Sequence, residues 1–173
     1  MEVCMRQWIC GVVLIVLFCF PVSVVAQDTN AMTFAAAKTS KFANLPGLPA
    51  CMKVAVQRGD PSKESAALML KFIPGCVVPW HWHTAGEQLV IISGKGSAQM
   101  KDGKAASMGP GDYSYLPAKS VHTFKAVSAV MMLNIPDAAF DIHYVDEAGN
   151  EIQPDQALKP AAKKAMPAKP SSK

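Results

Sequence analysis

Residues 75–94 read G-C-V-V-P-W-H-W-H-T-A-G-E-Q-L-V-I-I-S-G, which sets His81, His83 and Glu87 at the spacing G-x5-H-x-H-x3-E-x6-G. Two histidines two residues apart on a strand emerge on the same face, and Trp80 and Trp82 then take the opposite one. Glu87 follows a glycine-containing turn, which lets its carboxylate return to the histidine pair. A second stretch, residues 111–126 (G-D-Y-S-Y-L-P-A-K-S-V-H-T-F-K-A), supplies a further donor, His122. Three of the four histidines thus fall in two short segments. Imidazole nitrogens with one carboxylate suit a divalent first-row transition ion, Fe, Mn, Ni, Cu or Zn, and leave about two positions of an octahedral ion open.

Outward from these segments the chain is a series of short apolar runs broken by turn residues. Runs at 52–57, 66–73, 77–83, 88–93, 97–101, 104–108, 113–116, 122–126 and 130–135 are separated by Gly, Pro, Asp and Ser, and 142–145 reads as a last strand. Asp102-Gly103 is a hairpin turn signal. Many short strands at close spacing predict an all-β sandwich or barrel.

The two segments resemble the paired motifs of the cupin superfamily, a jelly-roll family. The first motif is matched at every position from Gly75 through His81, His83 and Glu87 to Gly94. The second, G-x5-P-x-G-x2-H-x3-N, is matched at Gly111, Pro117 and His122, with Lys119 in place of its glycine and Ala126 in place of its asparagine. Lys119 implies a different local turn; Ala126 is not a ligand position. The resemblance implies a single cupin domain over residues 51–148, metal ligation by His81, His83, Glu87 and His122, and a homodimer. Around the motifs the chain is similar to small single-domain cupins, among them dioxygenase-like enzymes and anti-sigma-factor-like metal sensors. Three functions follow as expectations: a metal-dependent oxidoreductase acting on a small organic molecule, with Glu87 also catalytic; a redox-silent isomerase or lyase; or a small-molecule or metal-binding protein without turnover.

The ends of the chain read differently. Arg6, an apolar run from Ile9 to Phe20, and Val24-Val25-Ala26 predict a signal peptide over 1–26, cut after Ala26, and hence a secreted or periplasmic protein without stable membrane insertion. A retained anchor is the rival reading, but the run is short for a span of ~20 residues. Residues 27–50 form a lead-in, with a short helix conceivable over 32–38. Residues 149–173 read as a disordered tail rich in Ala, Lys and Pro. The formal charge of +4 comes from that tail, where five lysines lie beyond Leu158 with no acid. The body is nearly neutral, which gives no case for a nucleic-acid partner.

Removal of the signal leaves Cys51 and Cys76. They can pair in an oxidising compartment, but two separate buried thiols are the plainer reading. His143 lies outside both motifs and reads as a surface or packing residue. Asp112 reads as a turn former, and the scattered methionines as core filling. Tyr115 and Gln99 are polar-tipped strand residues near the ligand segments and are candidates to reach the cavity, Tyr115 as an acid–base group.

Overall fold

The computed structural model describes Met32 and residues 34–159. The signal segment, its cut after Ala26, and the tail beyond Lys159 lie outside the described residues. The strands are β1 (Met52–Arg58), β2 (Ala67–Phe72), β3 (Val77–Trp82), β4 (Glu87–Ser93), β5 (Gly96–Met100), β6 (Ala106–Met108), β7 (Tyr113–Leu116), β8 (His122–Ala126), β9 (Val130–Pro136), β10 (His143–Val145) and β11 (Glu151–Ile152). One helical turn, α1 (Pro154–Ala157), follows.

Two antiparallel sheets result, ordered β1-β2-β9-β4-β7 and β11-β10-β3-β8-β5-β6. From β2 to β9 the chain passes from one sheet to the other at every step except the β5–β6 hairpin, which turns at Asp102-Gly103. That is the jelly-roll path, and the all-β expectation holds. Alternation decides which side chains enter the core: Leu68, Leu70 and Phe72 of β2, Leu89 and Ile91 of β4, Phe124 and Ala126 of β8, and Val130 and Met132 of β9 are all buried. Phe72 and Phe124 meet across the two sheets with ring centroids 5.2 Å apart. The turn after β4 depends on Gly94. Its φ is +85°, and a Cβ there would lie 1.9 Å from the carbonyl oxygen of Ala129.

Three expectations need correction. First, Cys51 and Cys76 form a disulfide, with Cα atoms 5.5 Å apart, and are not separate thiols. Cys51 leads into β1 in one sheet and Cys76 into β3 in the other, so the bond ties the two layers at one edge. Closing a loop of 25 residues contributes about 3 kcal/mol by restricting the unfolded chain. A Cys51→Ala/Cys76→Ala protein is expected to lose that much in chemical denaturation, and an unchanged midpoint would show that the two sulfurs do not pair.

Second, the segment from 149 to 158 is not part of a disordered tail. β11 pairs with β10, and Ile152, Ala157 and Leu158 pack against the core. Burial of these three apolar side chains outweighs the weak local propensity of the segment. Third, no helix forms over 34–38. Ala36 accepts hydrogen bonds from the amides of Thr39 and Ser40, which makes a single turn.

Candidate metal centre

β3 and β8 are neighbours, and His81 lies directly opposite His122 in their register. Which face these histidines take is decided by a bulge. Val78 pairs with Phe124 and His81 with His122, so β3 spends one residue more than β8 over that interval. Val78 is buried; strict alternation from it would send Trp80 and Trp82 inward and the histidines out. The extra residue reverses the parity. His81 and His83 consequently enter the barrel, while Trp80 and Trp82 remain half-buried on the other face.

Glu87 is the first residue of β4, in the opposite sheet, on the same inward row as Leu89 and Ile91. The segment leading to His122 is held by Lys119, whose amide donates to the carbonyl of His83 (2.8 Å). Lys119 has φ +61°, the left-handed conformation that a glycine would adopt at that position. The expected change of turn geometry does not occur: the lysine accepts the less favourable backbone region, and the turn is kept.

The side chains of His81, His83, Glu87 and His122 are thus brought together, each 3–6 % exposed. One potential donor atom from each lies within 4.8 Å of all the others. The Nε2 atoms of His122 and His83 lie 3.2 and 3.6 Å from the Glu87 oxygens.

The remaining ring nitrogens fix the chemistry. Nδ1 of His81 is 2.6 Å from the carbonyl oxygen of Pro79, and Nδ1 of His122 is 2.8 Å from that of Ser120. Nδ1 of His83 meets the carbonyl oxygen of Asp141. A carbonyl can only accept, so each Nδ1 carries the proton and each Nε2 presents a lone pair to the common centre. Nε2 of His122 has no hydrogen-bond partner although it is fully buried.

Burial, reinforced by the neighbouring imidazoles, holds His81 well below the ordinary histidine range, and burial also lowers His83. Burial opposes ionisation of Glu87, but the imidazole of His122, 3.2 Å away, and those of His83 and His81 outweigh it and hold it at about 2. At neutral pH the cluster is therefore a carboxylate beside lone pairs. Among the described residues, no lysine or arginine pairs with Glu87. A buried carboxylate is costly without a positive partner. A divalent ion satisfies the carboxylate and the orphaned Nε2 together, so the residues fit one.

Three contributors were not anticipated from sequence. Asn134 of β9 is 4 % exposed and donates from Nδ2 to Oε2 of Glu87 (2.7 Å). Its signal was its place on the inward row of β9 with Val130 and Met132. Asp141 supplies the carbonyl for His83, and its carboxylate accepts from the amide of Thr84 (2.8 Å). Phe140 packs its ring 5.0 Å from that of His83.

Tyr115 and Gln99 do not reach the cavity. Tyr115 is 50 % exposed and donates from its hydroxyl to Asp137 (3.1 Å). Gln99 donates to the carbonyl of Gly103 (3.0 Å). Asp112 accepts from the amide of Gly109 (2.7 Å), as a turn former does. His143 stacks on Trp82 at 3.9 Å and pairs with Glu151, whose hydrogen bond raises its pKa. Around His81, His83, Glu87 and His122 the cavity measures ≈ 50 Å³ and is walled mainly by apolar side chains, including Leu89, Phe124 and Met132.

Comparison with known proteins agrees with this geometry. The cupin domain family model matches residues 68–136. The DNA damage-repair/toleration protein DRT102 of Arabidopsis thaliana is 35% identical over 80 residues, 46% of this chain and 26% of that protein, so the chain spans about a quarter of that relative's length. An RmlC-like cupin from Ralstonia eutropha superposes with a TM-score of 0.55 at 19% identity, covering 71% of this chain and 82% of that one. The polyketide cyclase RemF from Streptomyces resistomycificus superposes with a TM-score of 0.56 at 16% identity, covering 67% and 87%. At such identities the two structures speak for the fold alone. With the histidine and glutamate motif positions in place on a jelly roll and the family model covering the strands that carry them, residues 68–136 form a cupin domain.

Proposed function

We propose that this is an exported, metal-dependent cupin with oxidative, dioxygenase-like chemistry on a small organic molecule. One divalent transition ion is held by Nε2 of His81, His83 and His122 and by the carboxylate of Glu87. The observation that carries this reading is the set of three Nδ1–carbonyl hydrogen bonds, which turn three lone pairs toward one buried carboxylate. A redox-active ion there supplies electron transfer between dioxygen and an organic substrate. The residues themselves hold the donors in place, exclude bulk water with Phe140, Leu89 and Met132, and offer Glu87 as the proton acceptor at the centre.

An isomerase or lyase needs an acid–base group besides the ligands. Tyr115, the candidate for that role, is exposed on the edge strand β7, and among the described residues no Tyr, Lys or Asp, and no Glu besides Glu87, lines the cavity. The same bare lining favours a second reading, binding without turnover. Oxygen uptake separates them. Protein loaded with iron, manganese, nickel or copper is expected to consume oxygen with a subset of small phenols and hydroxyketones, and zinc-loaded protein is not. Equal turnover with zinc would point to Lewis-acid chemistry, and no uptake with any ion would favour the binding protein.

Export is supported by the disulfide, since such bonds persist in oxidising compartments. N-terminal sequencing of exported material is expected to begin at Gln27. A chain retained in the membrane and beginning at Met1 would show that the segment is an anchor.

A further inference from the structure

Beside the metal cavity lies a second, larger chamber of ≈ 200 Å³. Leu48, Met52, Leu70, Asn134 and Phe140 line both spaces, so the two adjoin without an intervening layer. The outer part of the chamber is walled by Val54 and Leu68, and it reaches the surface at Leu45, Pro61 and Ser62. Its lining is almost wholly apolar.

Apart from Ser62 at the mouth, whose hydroxyl donates to Asp60, the exception is Asn134. Its two amide ends can be told apart because only the amino group can donate to a carboxylate, and Nδ2 is committed to Glu87 at 2.7 Å. Oδ1 is left buried with no hydrogen-bond partner in the protein. An unpaired buried acceptor is destabilising by itself, and it is satisfied by a donor brought by water or ligand.

We propose that this chamber is the substrate's binding site, and that its ligand is an uncharged molecule with an apolar body of about one aromatic ring and a hydroxyl donor that reaches Oδ1 of Asn134. The inference rests on the metal-site reading for where the ligand's polar end lies, and it goes beyond that reading in naming the class of ligand. Size supports it: a dry apolar cavity of about 150 Å³ is enough to take up benzene. Charge supports it too, because among the described residues no lysine or arginine lines the chamber to receive a carboxylate or phosphate. The single unpaired acceptor calls for a donor and rejects a second acceptor.

The test uses phenol and benzene as probes on the full chain purified after export, in zinc-loaded and chelator-treated forms, with metal content measured in each. Binding is followed by the methyl NMR signals of Val54, Leu68 and Leu70. Both probes are expected to shift the same methyls, and phenol is expected to bind about tenfold more tightly, as one hydrogen bond to a buried acceptor allows. Apolar contact alone cannot produce that preference, because phenol is the better hydrated of the two. The preference is expected to persist in the chelated sample, where no ion is present to ligate the phenol.

Asn134→Leu is expected to abolish the preference and keep benzene binding. Val54→Phe, which fills the outer chamber, is expected to lose both probes at unchanged metal content; Leu68→Phe serves should that variant not fold. Equal affinity for phenol and benzene would overturn the role of Asn134. Full metal occupancy with no response to either probe would overturn the chamber and leave the metal centre standing. Probe binding in a protein that takes up no ion would overturn the metal centre, and with it the assignment of the ligand as a substrate.

Discussion

Metal-loaded Glu87→Gln protein is expected to turn over about 100-fold more slowly than the parent, the usual scale of lost acid–base assistance. Glutamine keeps the length of the side chain and one oxygen able to accept from Nδ2 of Asn134. It removes the negative charge and the capacity to take up a proton. In the parent, Glu87 is held at about 2, so it is a carboxylate at any pH where the histidines are free to ligate. Among the described residues it is also the only carboxylate that lines the cavity. The change is expected to weaken metal affinity as well, so turnover must be compared at saturating metal. Unchanged turnover in the loaded variant would contradict the proton-acceptor role and leave Glu87 as a ligand alone.

The four clustered side chains were legible because each depends on local spacing. His81 and His83 are two apart on one strand, Glu87 follows a short turn, and His122 sits in a second compact segment. The strand series was legible for the same reason, since Gly, Pro and Asp-Gly mark the breaks. What sequence could not supply was parity and distance. The bulge between Val78 and His81 determines that histidines and not tryptophans face inward, and an inserted residue leaves no mark in an apolar run. Tyr115 was misplaced because its register was unknown: it pairs with Gln88, outside, while Leu116 pairs with Glu87, inside.

The disulfide depends on two strand ends in different sheets lying close together, which no spacing in the chain encodes. Asp141 was hidden because it acts on His83 through its backbone carbonyl, a group that every residue possesses. Lys119 shows the reverse case. A substituted motif position suggested altered geometry, yet the fold holds the residue at φ +61° and keeps the turn. Tertiary constraint outweighed local preference there, as it did for the packed segment around Ile152 and Leu158.

The central claim is that four side chains from β3, β4, β8 and the turn after β3 form one metal site. Elemental analysis of the purified chain tests it most directly, with a His83→Ala/His122→Ala protein measured alongside. Two of the four donors are gone in that variant, and the remaining imidazole and carboxylate offer little selectivity for a transition ion; the expected loss of affinity is at least about 100-fold, at the upper end of what disturbing a supporting residue alone costs. The fold should survive, because the sheets bury a core without the ion. The account predicts about one transition-metal ion per chain in the parent and nearly none in the double variant, with the circular dichroism of both alike. Full occupancy in the folded double variant would contradict it.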